Sequence, residues 1–116
     1  MTELEKEKRI KKEFGKLKRK FSDLEKDKKE FAEDLCRQAA FMKITLMELQ
    51  EIVNSEGAVT TGLNGNGFEV TSEHPAQKSF NTMIKNYNAT IKTLVDMLPE
   101  KEDDDEMMAF IKGGKK

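Results

Sequence analysis

The chain has few of the residues on which catalytic and metal sites are built. Its 116 residues include one Cys, one His and no Trp. A single cysteine excludes an intrachain disulfide and a thiolate metal cluster, so Cys36, in a helical stretch, is expected to be a small packing residue. His74 precedes a proline and is expected to cap a helix or lie at the surface. We therefore expect a protein that is not an enzyme and uses no metal or cofactor.

Long apolar runs are absent as well. No stretch of the sequence approaches the roughly 20 apolar residues of a membrane span, and the first residues lack the apolar segment of a signal peptide. We expect no membrane partner and a cytoplasmic location.

The composition is polar for a globular domain. Hydrophobic residues make up 36% of the chain and charged residues 37%, with a mean hydropathy of −0.74. A chain of this size buries about two thirds of its unfolded surface, and a charge-rich one buries less apolar area. Long helices that share a core between subunits would compensate for the small apolar area that a single chain buries. Disorder is the weaker interpretation, because the apolar residues are periodic.

Apolar residues recur at alternating steps of four and three, which predicts a helix with one apolar stripe of coiled-coil type. We call this stripe the seam and expect it to pack against other helices, in an oligomer. Its first positions are Ile10, Phe14, Leu17, Phe21, Leu24, Phe31 and Leu35, with Lys28 at the one polar step. The register continues through Met42, Leu49 and Ile52 and is interrupted at Gln38 and Thr45.

Two helices are expected here rather than one. Residues 22–25, Ser-Asp-Leu-Glu, fit a capping box, so a first helix over 3–20 and a second from Asp23 are predicted, with a break at 21–23. Gly57 is expected to end the second helix. The second helix has a wider apolar face, which indicates burial on more than one side, at Ala39, Ala40, Phe41, Ile44, Leu46 and Val53.

A β-hairpin and a last helix follow. β-branched and aromatic runs at 58–63 and 68–71 flank the turn residues 64–67, Asn-Gly-Asn-Gly. A phosphate-binding loop is rejected, because a strand rather than a helix with Lys-Ser/Thr follows the glycines. Pro75 opens the last helix and Pro99 closes it. The four-three spacing returns at Phe80, Ile84, Tyr87, Ile91, Leu94 and Leu98.

The predicted fold is mainly α, with long amphipathic, coiled-coil-like helices and one small β-hairpin between the central and last helices. Three segments are expected: a basic N-terminal helix (1–21), a helix–hairpin–helix oligomerisation body (22–99), and an acidic linker with a partner-binding tail (100–116). The residues predicted to oligomerise are Phe14, Leu17, Phe21, Leu24, Phe31, Leu35, Phe80, Ile84, Tyr87 and Ile91.

Charge is distributed unevenly along the chain. The formal net charge is −1, yet residues 6–20 hold nine Lys or Arg against two Glu, and residues 100–106 hold six acids against one Lys. Such basic density favours a polyanion such as nucleic acid, contacted through its backbone. The alternative is a solvated coiled-coil face; a membrane-surface helix is less favoured, because the apolar positions belong to the seam. The candidate DNA-binding residues are Lys8, Arg9, Lys11, Lys12, Lys16, Lys18, Arg19 and Lys20.

The tail combines the acidic run with an apolar cluster. Asp103, Asp104 and Asp105 lack the spacing of a calcium loop and are expected to be solvated linker. The apolar cluster after them is typical of a short peptide that orders on a partner protein, and consists of Met107, Met108, Phe110 and Ile111.

Residues 35–99 have a recognisable order and spacing. Residues 39–42 lead to Leu46 and Leu49 and then to a Gly-Ala-Val step at 57–59. Asn-Gly at 64–65 forms a turn, and Pro75 opens a helix that runs through Tyr87 to Leu-Pro at 98–99. This arrangement resembles the small subunits of tailed-phage terminases, especially those of phages and prophages of Gram-positive bacteria. Many members have Asn before the helix-opening proline, where this chain has His74.

The resemblance implies a nuclease-free recognition subunit. Members bind double-stranded viral DNA at the packaging site, form multimeric rings and regulate the terminase large subunit, which carries the ATPase and nuclease. The N-terminal helices would bind DNA, the hairpin and last helix would assist assembly, and the C-terminal tail would dock the large subunit. The alternative is a coiled-coil adaptor or scaffold that binds only protein.

Overall fold

The computed structural model describes residues 1–99, and the expected acidic linker and tail, with Met107, Met108, Phe110 and Ile111, lie outside the described residues. Three helices and two strands follow in the order α1 (Glu3–Arg19), α2 (Lys26–Glu56), β1 (Val59–Leu63), β2 (Glu69–Glu73) and α3 (Pro75–Asp96). The prediction of a mainly helical fold with one hairpin between the central and last helices is confirmed.

The start of α1 is fixed by a capping box that the sequence analysis did not find. The Thr2 hydroxyl accepts from the Glu5 amide at 3.1 Å, and the Glu5 carboxylate accepts from the Thr2 amide at 2.9 Å. The hydrogen bond from the Thr2 backbone lowers the pKa of Glu5, because it favours the ionised carboxylate. These bonds satisfy donors that a helix start leaves open.

The break between the first two helices is confirmed, but the capping box expected at Ser22 is wrong. Successive amides after α1 bond three residues back, with Lys20 N–H donating to the Leu17 carbonyl at 3.0 Å. This tight turn draws the Ser22 hydroxyl onto the Arg19 carbonyl at 3.1 Å. Ser22 therefore completes the end of α1. Glu25 is the N-cap of α2 without a side-chain capping bond, and α2 begins at Lys26 rather than at residue 23.

Glycines with positive φ lie before the hairpin, at Gly57, and in its turn, at Gly67. Gly57 ends α2 as predicted, with φ 90 and ψ 163, a backbone region that is nearly exclusive to glycine. The strands pair antiparallel with Val59 opposite Glu73 and Leu63 opposite Glu69. In the turn, the Asn64 carboxamide oxygen accepts from the amides of Asn66 and Phe68 at 2.9 and 3.0 Å.

His74 caps α3, which is one of the two roles predicted for it from the sequence. Its Nδ1 accepts from the Ala76 amide at 2.9 Å, and its Nε2 lies 2.8 Å from the Glu56 carboxylate. Since Nδ1 is an acceptor, Nε2 carries the proton and donates to Glu56. The imidazole thus joins the start of α3 to the end of α2.

α2 is the central element, because α1 and α3 both pack against it. Burial of its widened face is confirmed at Ala39, Ala40, Ile44 and Leu46, whereas Phe41 is 48% exposed. The buried residues of α2 are small where the two neighbours approach, which lets the backbones come close. The buried cluster comprises Leu17, Phe21, Ala32, Cys36, Ala39, Ala40 and Leu94.

A single continuous seam does not describe how the chain packs on itself. The seam positions Leu17 in α1 and Phe21 in the turn after it are buried, but in α2 the core lies one position further on, at Ala32 and Cys36. Phe31, the seam residue beside Ala32, is 67% exposed. The turn between α1 and α2 reverses the chain, so α2 presents its small residues to α1 and turns part of the seam outward.

The C-terminal ends of α1 and α3 lie at the same end of the molecule. Met97 and Leu98 pack against the buried cluster that contains Leu17 and Phe21 from the end of α1 and Leu94 from the end of α3. The hairpin follows the other end of α2. None of the three helices within residues 1–99 combines the length and the low polarity needed to cross a membrane.

Candidate nucleic-acid interface

The orientation of α1 on α2 is fixed by contacts along its length. Leu17 is buried, and Ile10 and Phe14 pack partly against the core. Polar contacts add to this packing, since Lys6 Nζ lies 2.8 Å from a Glu48 carboxylate oxygen. The Arg37 guanidinium lies 4.9 Å from the centre of the Phe14 ring, in cation–π geometry. These contacts decide which face of α1 meets solvent.

All the candidate DNA-binding residues are on the solvent side of α1 and exposed. We call this surface the cationic face; its residues are Lys8, Arg9, Lys11, Lys12, Lys16, Lys18, Arg19 and Lys20. At 3.6 residues per turn these residues cover somewhat more than half of the helix circumference, around the stripe that Leu17 presents to the core.

Glu13 determines the charge of this face. It is the only carboxylate between Lys8 and Lys20 in the sequence, and it is buried at 9% exposure. Its Oε2 accepts from Lys43 Nζ of α2 at 3.2 Å, and its Oε1 lies 3.9 Å from Lys16 Nζ at the rim. The exposed surface from Lys8 to Lys20 therefore carries eight cations and no exposed carboxylate.

Sequence reasoning missed this role of Glu13. A helical face of like charges is destabilised by their repulsion unless opposite charges lie among them, and in the sequence Glu13 lies among these cations. The signal was present, because Glu13 lies four residues before the buried Leu17 and hence on the same side of α1. A buried carboxylate needs a hydrogen-bonding partner of opposite charge, and Lys43, whose side chain is 40% exposed, supplies it.

The dimensions of the cationic face suit a nucleic-acid backbone. From Lys8 to Lys20 the helix rises roughly 18 Å at 1.5 Å per residue. A duplex carries about one phosphate charge per 1.7 Å of its axis, so this length spans about ten phosphates. Lysine and arginine side chains reach phosphate oxygens without reading base edges, so the surface provides affinity rather than sequence selection.

The predicted oligomerisation residues are mostly used within the chain. Leu17 and Phe21 are buried, while the others, Phe31 excepted, are half-buried: Phe14, Leu24, Leu35, Phe80, Ile84, Tyr87 and Ile91. Phe31 points outward at 67% exposure, and Phe41, further along α2, is 48% exposed. In the hairpin, Leu63 and Phe68 are 75% and 69% exposed. The apolar surface available for assembly is thus on α2 and the hairpin.

Cys36 is shielded from solvent. It is fully buried, and desolvation, with the nearby Glu33 charge as a smaller cause, raises the pKa of its thiol. The nucleophilic thiolate is therefore disfavoured at neutral pH. In the part of the chain that the structure describes, no group of three or more His, Cys, Asp or Glu side chains is arranged to hold a metal ion.

No protein-family model, curated protein or solved structure matches the chain.

Proposed function

We propose that the protein is the small subunit of a tailed-phage or prophage terminase. In this role it is non-catalytic, binds double-stranded viral DNA through the cationic face, and regulates the large subunit during genome packaging. It assembles as a homo-oligomer, with a ring as the expected form, and acts in the host cytoplasm without a membrane partner.

The observation that carries the DNA-binding role is the uniform charge of the cationic face. Eight exposed cations from Lys8 to Lys20 repel one another, and the one intervening carboxylate, Glu13, is buried and pairs with Lys43 of α2. A solvated coiled-coil surface normally alternates charges of both signs, which relieves this repulsion. A polyanion relieves it from outside, and nucleic-acid phosphate has the matching charge spacing.

The assembly role is supported by apolar surface that the chain does not cover. Phe31 and Phe41 on α2 are exposed, and so are Leu63 and Phe68 in the hairpin. The helix–hairpin–helix order is also the one that the resemblance to terminase small subunits implies. Exposed apolar side chains that extend over one element favour contact with protein.

The same apolar residues support an alternative, a coiled-coil adaptor or scaffold that binds only protein partners. In that case Phe31 and Phe41 would meet another helix, and the cationic face would remain solvated. The two functions differ in one measurable property, the binding of DNA, because both include a protein–protein contact.

DNA binding is tested by neutralising part of the cationic face. The variant Lys11→Gln, Lys12→Gln, Lys18→Gln, Arg19→Gln removes four exposed cations on α1. If each contacts one phosphate, the slope of log K against log salt flattens by about 3 to 4. A matched control removes four exposed lysines that lie outside α1, two in the first turn of α2 and two on α3, at Lys26, Lys28, Lys78 and Lys85.

Fluorescence anisotropy with a labelled duplex, titrated at several salt concentrations, measures both properties. We expect the α1 variant to bind the duplex more weakly and with a flatter slope of log K against log salt. The control should keep most of its affinity and of its slope. Equal behaviour of the two variants would show that DNA is attracted by overall charge rather than by the cationic face. An absence of DNA binding in the unmodified protein would favour the adaptor.

A further inference from the structure

Two helix ends that are far apart in sequence meet in the hydrophobic core. Leu17 and Phe21 at the end of α1 share a buried cluster with Leu94 of α3, and Leu98 packs against that cluster. Both α1 and α3 run antiparallel to α2, with Lys6 of α1 beside Glu48 and His74 before α3 beside Glu56. The chain therefore leaves the described structure, after Pro99, at the end of the molecule where α1 also ends.

The sequence that follows Pro99 is opposite in charge to the end of α1. The last turn of α1 and its cap present Lys16, Lys18, Arg19 and Lys20, all exposed. Residues 100–106, which follow Pro99 directly, are Glu-Lys-Glu-Asp-Asp-Asp-Glu, with six acids and one lysine. From the sequence alone these two segments lie at opposite ends of a dipolar chain. The fold places Leu98, just before the acidic segment in the sequence, at the end of the molecule where α1 ends.

The acidic segment is long enough to reach the cationic face. Seven extended residues span up to about 23 Å at 3.3 Å per residue. The last turn of α1, from Lys16 to Lys20, covers only about 6 Å of helix axis. The segment follows Pro99 directly, and Leu98 packs against the buried cluster at the end of α1. Its effective concentration at the cationic face is therefore in the millimolar range, so even weak ion pairs can be populated.

The first turn of α2 is the other basic surface at this end, but it is less suited to an acidic ligand. Its exposed lysines, Lys26 and Lys28, are interleaved with the exposed carboxylates Glu25, Asp27 and Glu30. The end of α1 has no such interruption. Charge complementarity thus selects the cationic face.

We propose that the acidic segment 100–106 binds in cis to the end of the cationic face, at residues 16–20, and competes there with nucleic acid. The competition rests on the proposed DNA-binding function, whereas the contact itself does not. DNA must displace the segment before it uses the full length of α1. A partner that captures the tail would therefore release the cationic face.

The contact is tested without DNA by paramagnetic NMR on the full chain. A spin label is attached at Asp104→Cys, and the native Cys36 is fully buried, which directs labelling to the introduced thiol. We expect broadening of the amide signals of residues 16–20 at low salt, loss of the effect at about 0.5 M salt through screening, and sharp signals in the hairpin. Unbroadened signals at 16–20, or equal broadening in the hairpin, would overturn the contact.

The competition is tested by duplex binding of two variants that each raise the net charge by two. Asp104→Asn/Asp105→Asn weakens the acidic segment, and Glu51→Gln/Glu69→Gln changes exposed acids near the far end of α2 and in the hairpin. We expect the tail variant to bind about 2- to 10-fold more tightly at low salt, with the control close to the unmodified protein.

The possible results separate the two proposals. Equal affinity of the tail variant and its control would overturn the competition while leaving DNA binding in place. Broadening at residues 16–20 in a protein that binds no duplex at all would refute the proposed function and support the cis contact.

Discussion

Phe31 offers a direct test of whether the outward part of the seam is an interface. A buried phenylalanine removes about 200 Å² from water, and Phe31 is 67% exposed in the single chain. Burying the remaining area, about 130 Å², in an oligomer would contribute about 3 kcal/mol per protomer at 25 cal/mol per Å². Phe31→Ala should therefore weaken association by about 100-fold. Within the subunit, the smaller buried part limits the loss of unfolding free energy to about 1.5 kcal/mol.

Sedimentation velocity over a wide range of protein concentrations measures this effect. We expect the unmodified chain to be multimeric and Phe31→Ala to dissociate at concentrations where the former is intact. Val95→Ala is the matched control, because Val95 is 46% exposed on α3 and lies outside the predicted oligomerisation residues. A chain that remains monomeric at every concentration, or a variant as multimeric as the control, would refute an interface at Phe31.

Two further predictions concern stability and reactivity. His74→Ala should lower the free energy of unfolding by about 1 kcal/mol through loss of the α3 cap. His74→Asn should recover most of this loss, because asparagine is a good N-cap. Equal losses for the two variants in urea denaturation would contradict the capping role. Cys36 should react slowly with iodoacetamide in the native protein, because burial raises its pKa. The unfolded thiol ionises near its ordinary pKa of 9.0, whereas the folded one keeps its proton to higher pH. Ionisation of Cys36 therefore leaves the free energy of unfolding unchanged well below that pH and lowers it as the pH rises above it. The fall should be absent in Cys36→Ala, and denaturation from pH 7 to 10 compares the two.

The elements of the fold were predictable because local chemistry decides them. Gly57 takes a backbone conformation that other residues avoid, and Pro75 starts a helix without losing a hydrogen bond. The hairpin follows from the turn residues between two β-branched runs. Such features act within a few residues of one another, so the sequence carries them directly.

Features that depend on tertiary contact were not predictable in the same way. Ser22 matches the pattern of an N-cap, yet the tight turn after α1 assigns its hydroxyl to the Arg19 carbonyl. The heptad pattern is read from large apolar residues, so it predicts that Phe31 is buried. In the structure the helices approach closely and bury its small neighbour Ala32 instead. Only the fold shows which face of α2 has two neighbours.

The candidate site was predicted in its residues but not in its electrostatics. The exposed cations of α1 follow from their spacing outside the apolar positions. The burial of Glu13 against Lys43, thirty residues away in sequence, needed the antiparallel packing of α1 on α2. That one ion pair changes a mixed surface into a uniformly positive one.

The length of α2 has a mechanical consequence. Its 31 residues form a rod of roughly 46 Å at 1.5 Å per residue, with the end of α1 docked near its start and the hairpin attached beyond its other end. α2 and the antiparallel α3 packed against it both join these two ends, so a tilt or rotation of α2 at one end also moves its other end. The buried residues Ala39 and Ala40, near the middle of α2, have no side-chain rotamers that could absorb such a movement. Displacement at one end would therefore be transmitted to the other.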